Sequence, residues 1–256
     1  MSLLRLVLKT AVPLPKLENF SRYLFIGPHP DDIEIGAGAT VSKLASMGKE
    51  ISFLICLDGR YGLGNAPEGT TPEELVNIRK EEAIASAKVM GVDDVHFLDF
   101  CDGGFYDIQQ VRTAIAIRVG VFKPDVIFAV DPDVPNECHV DHLNIGRECK
   151  IVAKLAPFKE IMERYGAQTS QVKAIALYMT AKPNRYVITK KEHLEKQIQA
   201  MKTNKSQFPE GCKDLAAVTT YLKLRSLFFG LRRFRTSAEG FRVIDALHMH
   251  CFPEEG

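Results

Sequence analysis

The sequence predicts an α/β fold with a doubly wound, mostly parallel, Rossmann-like sheet and a C-terminal extension of strands and helices. Two observations predict it. Short apolar runs alternate with longer helical segments through residues 22–155, as expected when a crossover helix follows each parallel strand. The chain has 256 residues, of which 46% are hydrophobic and 25% charged, an ordinary composition for a globular domain.

The apolar runs are interpreted as strands and the segments between them as helices. Predicted strands cover residues 22–27, 51–57, 94–99 and 125–130, and predicted helices cover 33–47, 71–90, 107–122 and 140–155. The helix at 71–90 has the clearest start, because Thr71-Pro72-Glu73-Glu74 forms a capping box with proline at the first helical position.

The pattern changes towards the C-terminus. The predicted elements there are a strand at 172–180, helices at 190–203 and 213–234, and a strand at 241–250. We expect one α/β domain over residues 1–256, with 1–20 as an N-terminal extension and 170–256 covering the sheet.

The tetrad His29-Pro30-Asp31-Asp32 follows the first predicted strand and precedes a helix. One imidazole and two carboxylates therefore emerge at the carboxyl end of a strand, where open α/β sheets build their sites. Imidazole and carboxylate together suit a divalent metal such as zinc, and a spare carboxylate suits a general base. Taken alone, the two aspartates equally fit a simple helix cap.

A second cluster favours the metal site over the cap. His139-Val140-Asp141-His142 follows the buried strand 125–130, after a loop with two prolines. Two such clusters converge on one site if their strands are neighbours in the sheet.

A zinc hydrolase needs about three protein ligands and one open position for water. His29, Asp32 and His142 can fill the ligand role. Asp31 is then left beside the ion, where it can take a proton from the water that the metal activates.

The remaining residues of the second cluster have supporting roles. His139 can stabilise an oxyanion or protonate a leaving amine, and Asp141 can orient an imidazole. Spacing alone leaves open which histidine binds metal and which takes part in catalysis.

With these residues the chain resembles the PIG-L/LmbE family of zinc-dependent de-N-acetylases, and within it the diacetylchitobiose deacetylase branch. The resemblance covers about residues 20–252. It rests on PHPDD and HVDH together with CLDGRYG at 56–62, IRKEEA at 78–83, ALYMTAKPN at 176–184, KSQFPE at 205–210 and AEGFRV at 238–243.

The resemblance implies a role for each matching residue. The zinc ligands that it implies are His29, Asp32 and His142. Another divalent metal is the alternative to zinc. The implied catalytic residues are Asp31, His139, Asp141 and His250, of which Asp31 is the base and His250 assists the tetrahedral intermediate. Arg79 and Asp102 match sugar-contacting positions. Histidines of similar proteins are replaced by Ala181 and Asn204, which predicts fewer polar contacts with the outer part of a substrate.

The predicted function is hydrolytic removal of acetyl from an N-acetylated amino sugar of the N-acetylglucosamine or diacetylchitobiose type. One alternative is an amidase that acts on a sugar-linked thiol conjugate. The other is a metal-containing sugar-binding protein without turnover, which the extra carboxylate of Asp31 disfavours. Related deacetylases form trimers or hexamers, and the apolar segment Leu222–Phe234 agrees with a homo-oligomer.

Charge and cysteine usage set the expected partners and compartment. The net charge of +1 gives no reason to expect nucleic-acid binding, and no apolar stretch approaches a membrane span. Six scattered cysteines without a C-x-x-C motif indicate free thiols in a reducing compartment. We therefore expect a cytoplasmic enzyme with a small amino-sugar substrate.

Overall fold

The computed structural model describes residues 7–8 and 10–252, and the predicted N-terminal extension lies partly outside them. Its strands are β1 (Arg22–Gly27), β2 (Glu50–Leu57), β3 (Asp94–Phe100), β4 (Val126–Val130), β5 (Ala174–Tyr178), β6 (Arg185–Ile188) and β7 (Ala238–Asp245). They form one sheet in the order β3-β2-β1-β4-β5-β7-β6. The first five strands in that order are parallel, and β7 is antiparallel to both of its neighbours. The predicted mostly parallel α/β sheet is thus confirmed.

Helices cover both faces of the sheet. They are α1 (Asp32–Ser46), α2 (Pro72–Met90), α3 (Ile108–Phe122), α4 (Val140–Leu155), α5 (Lys159–Arg164), α6 (Lys191–Met201) and α7 (Lys213–Leu231). Alternate residues of β1 face opposite ways, so Phe25 joins the core under α1, α2 and α6, while Leu24 joins the core under α3 and α4. Helix α7 packs on β7.

The second half of the chain differs from the prediction at three elements, one with a wrong boundary and two that were not predicted. The last strand spans Ala238–Asp245 and not 241–250, because the Asp245 carboxylate accepts hydrogen bonds from the backbone N–H groups of Leu247 and His248 and stops the strand in a turn. Strand β6 was not predicted, because it has only four residues, three of them half-buried, and it follows the loop at Pro183. Helix α5 was missed because six residues are too few to show a helical period.

The sheet order creates the position of the site. The chain runs from β1 outward to β2 and β3, and then returns to place β4 on the other side of β1. A crevice forms at such a switch point, beyond the carboxyl ends of the two central strands. The loops after β1 and β4 both open into it. In the described part of the chain, no helix is both long and apolar enough to cross a bilayer.

Candidate active site

The two sequence clusters meet at the carboxyl ends of β1 and β4. Asp32 Oδ2 lies 3.3 Å from His29 Nδ1, and Asp32 Oδ1 lies 3.3 Å from His142 Nε2. One ligand atom from each of these residues falls within 4.8 Å of the others, so the three can surround one ion. All three side chains are nearly buried.

Each candidate imidazole ligand also contacts a second carboxylate through its other nitrogen. His29 Nε2 lies 2.9 Å from Asp141 Oδ2, and His142 Nδ1 lies 3.0 Å from Glu137 Oε2. Carboxylates in this position accept the remaining N–H of a metal-bound histidine and fix its tautomer and orientation. The donor set and its supporting carboxylates therefore fit a divalent metal.

A second set of possible ligands, His29, His139 and Asp141, overlaps the first. Its carboxylate is already occupied, because Asp141 Oδ2 accepts from the Gly103 N–H and Oδ1 from the Gly104 N–H, both at 2.8 Å. Asp32 accepts one backbone hydrogen bond, at Oδ2 from the His29 N–H at 2.8 Å, while its Oδ1 faces His142. The set built on Asp32 is the better metal site because it keeps one carboxylate oxygen for an ion.

The carboxylates raise the proton affinity of both candidate imidazole ligands. Burial opposes protonation of His29, but its hydrogen bonds to Asp141 and Asp32 raise its pKa to about 10. Burial likewise opposes protonation of His142, but the charge of Asp32 raises its pKa to about 9. Burial disfavours ionised Asp32, yet the two imidazoles outweigh it and hold the Asp32 pKa well below its usual value. The same carboxylates that stabilise protonated imidazoles would stabilise a cation at this position.

Asp31 has a strained backbone at the start of α1. Its φ of 115° lies in the left-handed region that non-glycine residues rarely adopt, and its side chain makes no helix-capping hydrogen bond. Instead Asp31 Oδ2 lies 3.2 Å from the Arg79 guanidinium. Burial raises the Asp31 pKa to about 6, although Arg79 works against this rise. A carboxylate with such a pKa is well matched to general-base work near neutral pH.

Arg79 is buried on the inner side of α2. Besides contacting Asp31, its guanidinium donates to the carbonyl oxygens of Pro30 at 2.6 Å and Gly59 at 3.0 Å. Arg79 therefore does not lie on a solvent-exposed face of the helix. Gly59 permits the approach, since a Cβ there would lie 2.4 Å from Arg79 Nη1.

His139 stands at the N-cap of α4 with half of its side chain exposed. Its ring stacks on His142 with centroids 4.8 Å apart, and its Nδ1 accepts a hydrogen bond from the Asp141 N–H at 3.4 Å. A neutral ring with an accepting Nδ1 carries its proton on Nε2. Burial and the neighbouring imidazoles lower the His139 pKa, which favours this neutral donor.

These residues line a pocket of about 360 Å³. Its lining also includes Tyr61, Gly62, Asp102 and Gln207. Asp102 is buried and accepts a hydrogen bond from the Tyr61 N–H at 3.3 Å. Its Oδ1 is shielded from solvent and has no hydrogen-bond partner among the described residues. An unpaired buried carboxylate oxygen of this kind is costly.

Three residues singled out from the sequence lie away from this pocket. His250 is exposed in the turn after β7 and lines a different cavity with Arg242 and His248. Ala181 and Asn204 do not line the pocket either. Asn204 is buried beneath the loop that carries Gln207, whose N–H donates to the Asn204 carbonyl at 3.1 Å.

Comparison with known proteins identifies the family. The family model described as PIG-L, GlcNAc-PI de-N-acetylase, matches residues 24–153, about half of the chain, and this range includes both His/Asp clusters. The diacetylchitobiose deacetylase of Thermococcus kodakarensis is 32% identical over 238 residues, which cover 92% of this chain and 87% of that protein.

The chain belongs to the PIG-L family.

Solved structures of similar proteins agree with this membership. The N,N'-diacetylchitobiose deacetylase from Pyrococcus horikoshii superimposes on this PIG-L chain with a TM-score of 0.85 and 29% identity, covering 96% of this chain and 93% of that one. GalB, a 4-carboxy-2-hydroxymuconate hydratase from Pseudomonas putida, reaches a TM-score of 0.71 at 16% identity and shows the fold alone. The fold therefore does not by itself assign a reaction, and the site residues must carry it.

Sequence reasoning missed two parts of this PIG-L site. Glu137 stands two residues before His139 and was passed over, although an acidic residue beside a candidate ligand is a usable signal. Gly103 and Gly104 both have positive φ, and their N–H groups hold Asp141 in place. The Gly-Gly pair predicts a turn, but its contact with a residue almost forty positions later has no local signal.

Proposed function

We propose that this chain is a zinc-dependent hydrolase that removes the acetyl group from an N-acetylated amino sugar of the N-acetylglucosamine or diacetylchitobiose type. One observation carries the proposal: a buried His-Asp-His cluster lies beside a separate, strained aspartate in one pocket. A metal ligand set with an additional base is what amide hydrolysis by water needs.

His29, Asp32 and His142 would hold the ion. Two imidazoles and one carboxylate form a common ligand set of catalytic zinc, which keeps a further position open. A bound zinc ion supplies a Lewis acid that polarises the amide carbonyl and lowers the pKa of water. Asp141 and Glu137 would orient the two imidazoles and accept their other N–H groups.

The chain's own residues then handle the protons. Asp31 takes a proton from the attacking water, and Arg79 fixes the position of its carboxylate. The water oxygen bonds to the acetyl carbon, the carbon–nitrogen bond breaks, and the amine leaves with a proton while acetate is released. The proton that Asp31 has taken passes to the leaving amine, and His139 donates a hydrogen bond from Nε2–H to the developing oxyanion.

Asp102 supports the sugar assignment. It lines the pocket with the candidate metal ligands and matches a sugar-contacting position of similar proteins. Most of the other lining residues are also polar, and we call this polar lining the polar floor. Arg79 is less free to contact a sugar because its guanidinium already has three protein partners. We assign His250 no role in the pocket of its own chain, because it lines another cavity.

A screen of N-acetylated sugars with acetate detection tests this function. The purified protein, loaded with zinc, should release acetate from N-acetylglucosamine or diacetylchitobiose. Sugar-linked thiol conjugates with other acyl groups serve as the comparison set. Cleavage confined to those conjugates would assign the amidase, and sugar binding without any cleavage would assign a binding protein; either result overturns the proposal.

We also propose that the protein is a homo-oligomer of three or six chains. Each chain would form one continuous domain, and the oligomer would lie in the cytoplasm. The oligomer is supported by helix α7, whose exposed side chains include Leu224, Leu227, Phe228 and Leu231. A contiguous apolar surface of this kind is typical of a protein contact. The compartment is supported by the unpaired cysteines.

A further inference from the structure

Three apolar side chains stand exposed beside the pocket, one of them in its lining and two next to lining residues. Tyr61 is 54%, Phe105 73% and Val140 42% exposed. Tyr61 lines the pocket itself, and its ring meets that of Phe105 edge to face with centroids 6.1 Å apart. Val140 lies between His139 and Asp141. We call these three residues the apolar rim.

The apolar rim is built on a rigid support. The side chain of buried Asp141 accepts hydrogen bonds from Gly103 and Gly104, so the loop that presents Phe105 is tied to the residue behind His29. A Cβ on Gly103 would lie 3.3 Å from the Phe105 ring and 3.6 Å from that of Tyr61, and one on Gly104 would lie 3.4 Å from Val140. All three side chains thus pack over this glycine pair at a fixed distance from the ligands.

Two polar side chains near the rim already have partners within the protein. Gln207 Nε2 donates to the carbonyl oxygens of Gly62 at 2.8 Å and Ser206 at 3.2 Å. The Arg60 guanidinium is paired with Asp58 at 2.6 Å. The Tyr61 hydroxyl accepts a long contact, 3.8 Å, from the Cys101 thiol and is a polar atom of the rim. The Phe105 ring and the Val140 side chain make the rest of the rim surface aromatic and aliphatic.

We propose that the apolar rim is a binding subsite for an apolar group, aryl or alkyl, carried by the amino sugar on the side that faces the mouth of the pocket. The inference rests on the proposed function, because it takes the polar floor as the sugar position. A second sugar ring would bring several hydroxyls to a surface with few free partners, whereas an apolar aglycone needs only contact area. The substrate class is thus an N-acetyl amino sugar glycoside with an apolar aglycone.

The test compares three glycosides of N-acetylglucosamine. The probes are the methyl glycoside, the 4-nitrophenyl glycoside as both anomers, and diacetylchitobiose, with acetate release as the readout. We expect kcat/KM for the better aryl anomer to exceed that of the methyl glycoside by about tenfold, the scale of one good aromatic contact. Diacetylchitobiose should stay within about threefold of the methyl glycoside.

Variants assign the preference to the rim. Phe105→Ala should reduce the aryl-to-methyl ratio to within about twofold, and Phe105→Trp should retain it. Phe158→Ala removes an exposed phenylalanine at the start of α5, outside the rim, and it should keep the wild-type ratio. Binding of the same probes to the Asp31→Asn protein, measured by calorimetry, gives the ratio without turnover.

The outcomes separate the two proposals. No acetate from any probe, with tighter aryl binding that depends on Phe105, overturns the proposed function and retains the subsite. If acetate is released but kcat/KM is equal for the aryl and methyl glycosides, or is highest for the disaccharide, the subsite is overturned. A further outcome is that Phe105→Ala changes the solution mass of the protein while the aryl-to-methyl ratio of kcat/KM stays the same. That result would assign the rim to a subunit contact, and it also overturns the subsite.

Discussion

At the scale of residues, each candidate imidazole ligand contacts two carboxylates, one through each ring nitrogen. His29 lies between Asp32 and Asp141, and His142 lies between Asp32 and Glu137. Such pairs orient the rings and increase their basicity as ligands. They also raise the pKa of both histidines, so metal and protons compete for the same nitrogens.

Removal of any one of the three candidate ligands should remove the metal. His29→Ala, Asp32→Ala and His142→Ala each leave two ligands of a three-ligand set, which has no redundancy. Metal analysis of the purified variants should find far less than one equivalent. Retention of one full equivalent by a variant would exclude that residue from the ligand set.

Glu137 gives a separate prediction, since it contacts the distal nitrogen of His142 and would not contact the ion. Glu137→Gln should weaken zinc affinity by about 10- to 100-fold without abolishing binding. Competition with a chromogenic chelator measures this. Glu163→Gln, a charge loss on exposed α5, is the matched control and should bind as wild type. Unchanged affinity in Glu137→Gln would show that the carboxylate does not support the ligand.

At the scale of elements, Gly36 of α1 sets how closely the site helix approaches the sheet. A Cβ on Gly36 would lie 2.1 Å from Tyr178 Cδ2. Tyr178 cannot easily move, because it is fully buried on β5 and its hydroxyl donates to the Ile26 carbonyl at 2.8 Å. The close approach keeps Asp31 and Asp32, at the start of α1, next to β1.

Gly36→Ala should therefore destabilise the fold by overpacking. We expect a loss of about 1–3 kcal/mol in the free energy of unfolding, measured by urea denaturation. Gly64→Ala is the control, because nothing lies within 4 Å of its added Cβ, and its stability should stay close to that of wild type. Equal stability of the two variants would contradict tight packing at Gly36.

How far the sequence predicts these elements depends on the range of the interactions that form them. The strand before His29 and the one before His139 were evident from short apolar runs, and their shared sheet edge followed from the α/β pattern. The end of β7 was predicted wrongly, because a single side chain, Asp245, stops it. The contacts of Asp141 with Gly103 and Gly104 could not be predicted, since only the folded sheet brings them together.

At the scale of the whole molecule, the surface is uneven in polarity. Helix α7 buries Leu222 and Phe229 but leaves Leu227, Phe228 and Leu231 exposed. Two guanidiniums lie on these aromatic rings, Arg225 over Phe229 and Arg232 over Phe228. The exposed stripe is the surface that would contact a second copy.

The assembly prediction follows from that stripe. Light scattering at dilute concentration should find a stable species of three or six times the 28.6 kDa chain mass. Phe228→Glu should shift the mass towards a single chain by placing a charge in the contact, and Ile84→Glu on exposed α2 should not. A wild-type species near 28.6 kDa would show that the protein is monomeric.

The most direct test of the account separates Asp31 from the metal ligands beside it. Zinc content and acetate release from N-acetylglucosamine or diacetylchitobiose should be measured together for wild type and Asp31→Asn. We predict that the variant keeps one equivalent of metal but loses about 10²–10⁴-fold in kcat, because only the general base is removed. Near-normal turnover in a metal-loaded Asp31→Asn protein would contradict the proposed chemistry.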